Sequence, residues 1–215
     1  MVTKKSILET YDFLLKHDKV KATVDVSAKI KEVKKIVVLE LGSEELTNIP
    51  SLAGLVNLLI LDLGCNELTT LPSLEGLVKL EILDLANNKI TTPPILEGLV
   101  RLSTLFLDNN DLNTPPNLEG LIRLETLHLS SNKLKTPPNL EGLIRLETLH
   151  LSSNKLKTPP NLKGVPILVM LVLNDNKLTT PPNLEGLSNL RDVYLYNNPL
   201  TSIPTHPTAS INIED

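Results

Sequence analysis

Two histidines, His128 and His150, stand 22 residues apart in the same local sequence, Leu-His-Leu-Ser-Ser-Asn. A pair of imidazoles is a minimal start for a metal site or an acid–base centre. Here the flanking residues are Thr126, Thr148, Ser130 and Ser152, so a metal-binding set is incomplete. Residues 114–140 also recur identically as 136–162, so one duplication accounts for the pair. Cys65 has no histidine placed to activate its thiol. Phosphate-binding glycine loops, paired-cysteine metal motifs and nucleophile elbows are absent from the sequence. The expectation is a non-enzymatic chain with no catalytic residue, no metal ligand and no cofactor. Binding chemistry is better represented. Glu40, Asp62 and Asp84 follow one another at 22-residue steps, and Phe106, His128, His150, Val172 and Tyr194 continue the row. Asp108 and Tyr196 lie two residues beyond that row. Carboxylates at one end and rings at the other suit a protein partner with a basic surface.

The step of 22 is the period of the chain from residue 30 to about 200. Leu39-Glu-Leu41 recurs as Leu61-Asp-Leu63, Leu83-Asp-Leu85 and onward to Val193-Tyr-Leu195, without insertion or deletion. Alternation in such a short strand sends the two flanking leucines one way and the middle residue the other. Stacked turns of chain would therefore line the middle residues up on one solvent face. Three residues after each second leucine stands an asparagine, Asn66 to Asn198, with Glu44 in its place in the first repeat. An amide side chain both donates and accepts, so a column of asparagines would satisfy the backbone where the chain turns inward. Five return segments carry Thr-Pro-Pro, at 92–94, 114–116, 136–138, 158–160 and 180–182, with looser forms around Pro50, Pro72 and Pro204, and Leu-Glu-Gly-Leu-x-x-Leu follows, as at 118–124. The prolines predict extended chain. Leucines at i, i+3 and i+6 predict a short helical turn, with Glu119/Arg123 and Glu141/Arg145 as i,i+4 pairs on its exposed face. A glycine at one register, for example Gly120 or Gly164, implies either a special backbone angle or close approach of adjacent coils.

Leu80-Glu-Ile-Leu83-Asp-Leu85-Ala-Asn-Asn88-Lys-Ile90 resembles the leucine-rich-repeat pattern, in the fixed 22-residue subclass of internalins and of a regulatory subunit of protein phosphatase 1. The resemblance implies an α/β, right-handed, curved solenoid. A parallel sheet would line its concave face, with extended or short helical segments on the convex face. It also implies protein recognition on the concave side. The Thr-Pro-Pro element departs from those relatives. Residues 1–29 are expected to form an N-terminal helical cap, 30–200 about eight repeats, and 201–215 a C-terminal cap. Ser6 is the expected N-cap of a helix reaching about Lys16. His17 and His206 read as ordinary surface residues.

Net charge is −4, divided into +4 over residues 1–35 (nine lysines, five acids) and −8 over 36–215 (twelve basic, twenty acidic). An acidic body repels phosphates, which argues against a nucleic-acid partner. One cysteine, no Asn-x-Ser/Thr acceptor and no apolar leader at Met1 suggest a cytoplasmic protein. No stretch is long and apolar enough for a membrane span. A protein-binding scaffold, monomeric, is the leading expectation. A secreted or surface protein acting on a host and a self-assembling structural protein are the alternatives.

Overall fold

The computed structural model describes residues 4–17, 19 and 26–214. Two helices, α1 (Lys4–Lys16) and α2 (Val26–Lys35), pack together at the N-terminal end. Nine three-residue strands follow: β1 (Val38–Glu40), β2 (Ile60–Asp62), β3 (Ile82–Asp84), β4 (Thr104–Phe106), β5 (Thr126–His128), β6 (Thr148–His150), β7 (Met170–Val172), β8 (Asp192–Tyr194) and β9 (Ser210–Asn212). They form one parallel sheet in sequence order. Every pairing from β1 to β8 joins residues 22 apart, so the register never slips. The right-handed solenoid is therefore built by repetition, with the sheet on its concave side.

The core is a stack of nearly identical aliphatic layers. The central residue of each strand from β1 to β8 (Leu61, Leu83, Leu105, Leu127, Leu149, Leu171 among them) has no solvent exposure. The leucine just after each of these strands, such as Leu129, is also buried. The strand residues on either side of the central leucine face out, as alternation requires.

The asparagine column forms as expected. Asn132 Nδ2 donates to Leu107 O at 2.9 Å, Leu129 O at 3.2 Å and Ser130 O at 3.2 Å, and its Oδ1 accepts from Leu112 N at 3.0 Å. Asn66 to Asn198 repeat these bonds coil after coil. In the first coil Glu44 has no amide to offer, and its own N–H is taken up by Asn66 Oδ1 at 3.2 Å.

The return segments differ from the expected helical turn. Leu121 N donates to Leu118 O at 3.2 Å, and Leu124 N donates to Leu121 O at 2.9 Å. Gly120, at the third position of the first of these turns, has φ +82°. That is a type II β-turn running into a second tight turn, not a helix. The preceding Asn117 side chain accepts from Glu119 N at 3.1 Å and fixes the entry. Without a helix there is no i,i+4 face. Arg145 instead meets Glu125 of the preceding coil at 2.6 Å.

The N-terminal end differs from expectation in two respects. Helix α1 begins at Lys4, so Ser6 lies inside it, where its carbonyl accepts from Thr10 Oγ1 at 3.0 Å. Helix α2 straddles residue 30, so the first coil returns through a real helix with Val33 in the core. Strand β9 extends the sheet on β8. Nor are the two cap histidines ordinary surface groups. His206 Nε2 bonds Leu187 O at 3.1 Å and Nδ1 accepts from Ala209 N at 3.0 Å. His17 packs on Phe13, with ring centroids 4.7 Å apart, and sits 3.8 Å from Glu44.

Candidate functional site

The concave face is an array of columns, one residue per strand. Its central column reads Glu40, Asp62, Asp84, Phe106, His128, His150, Val172, Tyr194, each paired with the next across the sheet. Glu40 is exposed and the other seven are half-buried against one another. Asp108 and Tyr196 stand in the adjoining column, also half-buried. All ten sequence-predicted residues therefore lie on one wall. They are not all together, because seven strand steps of about 4.8 Å put Glu40 roughly 34 Å from Tyr194.

The acidic end is more structured than a solvated charge track. Asp62 Oδ1 accepts from Gly64 N and Asp84 Oδ1 from Ala86 N, both at 2.9 Å. Asp108 Oδ1 reaches across to Ser130 N at 2.9 Å. The carboxylates thus hold the chain as it leaves the strand, and they explain the small residues beside them. A side chain added at Gly64 would lie 3.2 Å from the Asp84 carboxylate. Burial pushes the Asp84 carboxyl above its ordinary value. The Ala86 N–H opposes that shift, and Asp62 and Asp108 add to it by repulsion.

The middle of the wall is a row of rings. Phe106 meets His128 edge-on, with centroids 4.9 Å apart. His128 and His150 stack 3.9 Å apart with their planes within 5° of parallel. His150 Nε2 then touches Met170 Sδ at 3.4 Å. Parallel stacked imidazoles hold their in-plane lone pairs side by side, so these cannot converge on one metal ion. Among the described residues no group of three or more metal-ligating side chains comes together. His128 Nδ1 lies 3.5 Å from Asp108 Oδ2, the carboxylate–imidazole half of an acid–base relay. The nearby hydroxyls do not complete it, because Ser152 Oγ donates to Ser130 Oγ at 2.9 Å rather than to an imidazole. Cys65 is exposed in the turn after β2, at φ +54°, away from both histidines.

Burial lowers the pKa of His150 below the ordinary imidazole value of 6.5; His128 adds to the shift and Asp108 opposes it. A histidine that resists protonation when folded binds fewer protons than in the unfolded chain, just below pH 6.5. Its contribution to stability is therefore intact at neutral pH and is lost as pH falls through that value. Urea midpoints are expected to drop less between pH 7.5 and 5.5 for His150→Phe than for the parent chain. Equal drops would contradict this.

Sequence reasoning missed an apolar ridge outside the wall. Val56, Val78, Val100, Ile122 and Ile144 occupy one register of the return segments and are 38–59% exposed. The signal was present in the 22-residue spacing, but a helical turn would have placed these side chains differently. Beside the ridge, an open apolar groove of about 880 Å³ lies between coils, lined by Leu71, Pro93 and Ile95 among others. Its ionisable residues are Glu75 and Glu97.

Comparison with known proteins agrees with this architecture. The leucine rich repeat family model matches residues 34–90, and the two-copy Leucine Rich repeats model matches 122–164 and 168–208. A comparison with curated protein sequences finds no match. Among solved structures, the chain is similar to internalin C2 of Listeria monocytogenes, at 24% identity and TM-score 0.74, over 93% of this chain and 85% of that one. It is similar to a Shigella effector leucine-rich-repeat domain at 25% identity and TM-score 0.69, over 93% and 88% of the two chains. It is also similar to YopM of Yersinia enterocolitica at 24% identity and TM-score 0.73, over 99% of this chain and 46% of that one. Likeness at this level of identity carries the fold. With the repeat, the asparagine column and the parallel sheet in register, it establishes that the chain belongs to the leucine-rich-repeat family.

Proposed function

We propose that this protein is a non-enzymatic scaffold that holds a partner protein on its concave face. One observation carries the reading: residues that the repeat leaves free to vary form a single continuous wall, acidic over β1–β3 and aromatic or aliphatic over β4–β8. The partner places lysine or arginine opposite Glu40, Asp62 and Asp84, and an apolar segment against Val172, Tyr194 and Tyr196. A wall roughly 34 Å long accommodates a helix or the edge of a small domain. The acidic column adds support. Half-burial of Asp84, with Asp62 and Asp108 beside it, disfavours its charged form, and a cationic partner group would relieve that cost. The same charge disfavours nucleic acid. A reducing, cytoplasmic setting fits the free and exposed Cys65.

A second reading follows from the likeness to internalin C2 and the Shigella effector domain: a protein exported to act on host molecules. Both readings use the concave wall and differ in where the partner is found. Photo-crosslinking residues installed at Phe106 and Tyr194, with Lys177 on the flank as control, separate the outcomes. Crosslinks at the two wall positions, lost on Asp62→Lys, are expected with source-cell lysate for the first reading and with host lysate for the second. Equal labelling from Lys177 would sink the concave-face assignment.

A further inference from the structure

The return segments carry a second ordered surface, independent of the concave wall. The aliphatic ridge from Val56 to Ile144 spans five coils, roughly 19 Å at about 4.8 Å per coil. It ends where Pro166 and Ser188 take the same register. Three residues before each ridge position in coils two to five stands an exposed glutamate, and one residue after it an exposed Lys or Arg. The middle coils show the pattern as Glu97–Val100–Arg101 and Glu119–Ile122–Arg123. Each apolar row is thus flanked by a negative row on one side and a positive row on the other. Arg145 is engaged with Glu125. Arg101 and Arg123 make no ion pair among the described residues. Contiguous exposed apolar surface rimmed by charge marks an interaction site.

We infer that this ridge is the interface of a weak homodimer in which two copies pack ridge to ridge with their solenoids running the same way. The charge rows choose the occupant and the orientation. Face-to-face contact of identical surfaces requires a two-fold axis lying in the interface. An axis across the ridge sets Glu on Glu and Arg on Arg. An axis along the ridge sets each Glu row over the partner's Arg row at the same coil, with the aliphatic rows meeting between them. The surface is therefore complementary to a second copy of itself in one arrangement. A ridge of five aliphatic side chains is short beside a standard interface of roughly 800 Å² per partner, so a weak, concentration-dependent dimer is expected. The inference departs from the monomer expected on sequence grounds.

Sedimentation of the full chain from 10 µM to 1 mM is the test, with those concentrations spanning about the range where such a dimer forms. The mass is expected to climb from 23.7 kDa towards twice that value. Ile122→Asp/Ile144→Asp should stay monomeric with an unchanged circular dichroism spectrum. Arg101→Glu/Arg123→Glu and Glu97→Arg/Glu119→Arg should each be monomeric alone and associate when mixed, which a misfolded variant would not do. A parent chain still monomeric at about 1 mM in low salt overturns the inference and leaves the ridge to another protein. So does a dimer that survives Ile122→Asp/Ile144→Asp. Neither result bears on the concave wall.

Discussion

Replacing Asn132 by leucine is expected to lower the unfolding free energy by about 3 kcal/mol, although leucine is the most abundant core residue here. The reason is that the site is polar on every side. The amide supplies donors to three backbone carbonyls and an acceptor to Leu112 N. Leucine leaves the Leu112 N–H buried without a partner, at about 1–3 kcal/mol, and strips Leu107 O of its shorter bond, leaving it only Asn110 Nδ2 at 3.2 Å. Asn132→Asp is expected to be comparably damaging, because a carboxylate would face the three carbonyls. Neighbouring Lys133 is exposed and its ion pair with Asp111 contributes little, so Lys133→Ala serves as the control. Urea unfolding followed by circular dichroism measures all three. In a solenoid the damage is local, so the transition should also broaden as coils on either side of the lesion unfold separately. A midpoint for Asn132→Leu equal to that of the parent would end the ladder interpretation.

The second large effect is expected at Gly164, with Gly120 as its comparison. The two glycines hold the same register, and the sequence treats them as equivalent. The structure separates them. Gly120 adopts φ +82° with nothing within 4 Å of where a Cβ would be, so Gly120→Ala costs only backbone strain, about 1 kcal/mol. Gly164 is not in the left-handed region, and a Cβ there would lie 2.5 Å from the Leu140 carbonyl oxygen of the preceding coil. Backbone cannot step aside as a flexible side chain can. Gly164→Ala should therefore cost more, about 2 kcal/mol or above, through displacement of one coil against the next. Paired urea midpoints give the order, and a larger loss at Gly120 would reverse this assignment. Both explanations of the glycine register, a special backbone angle and close approach, are thus correct, at different positions.

How much of the candidate site was legible follows from the same distinction. The period of 22 and the alternation of Leu-x-Leu were enough to place all ten wall residues on one face. Their mutual geometry was not legible. Identical repeats imply that His128 and His150 are neighbours, but not that their rings stack at 3.9 Å and turn their lone pairs parallel. That outcome depends on the rotamers that Phe106 and Met170 leave open on either side. Likewise Asp62 and Asp84 read as a charged track in sequence, whereas folding turns each back onto the N–H two residues on.

The sequence by itself determined the repeat, the buried leucine layers, the asparagine column and the extended Pro-Pro segments. Each of these follows from chain periodicity or from one residue's intrinsic geometry, and a perfect repeat multiplies the signal. Tertiary structure alone decided what depends on contacts between coils. It made the i, i+3, i+6 leucines a pair of tight turns instead of a helix, because each turn must descend into the next layer within 22 residues. It gave the first coil a helix, where no earlier coil constrains the return. It tied His206 into the last coil and left the Val56–Ile144 ridge in solvent. Local sequence encodes which way a side chain points; only the stacked neighbour determines what it meets there.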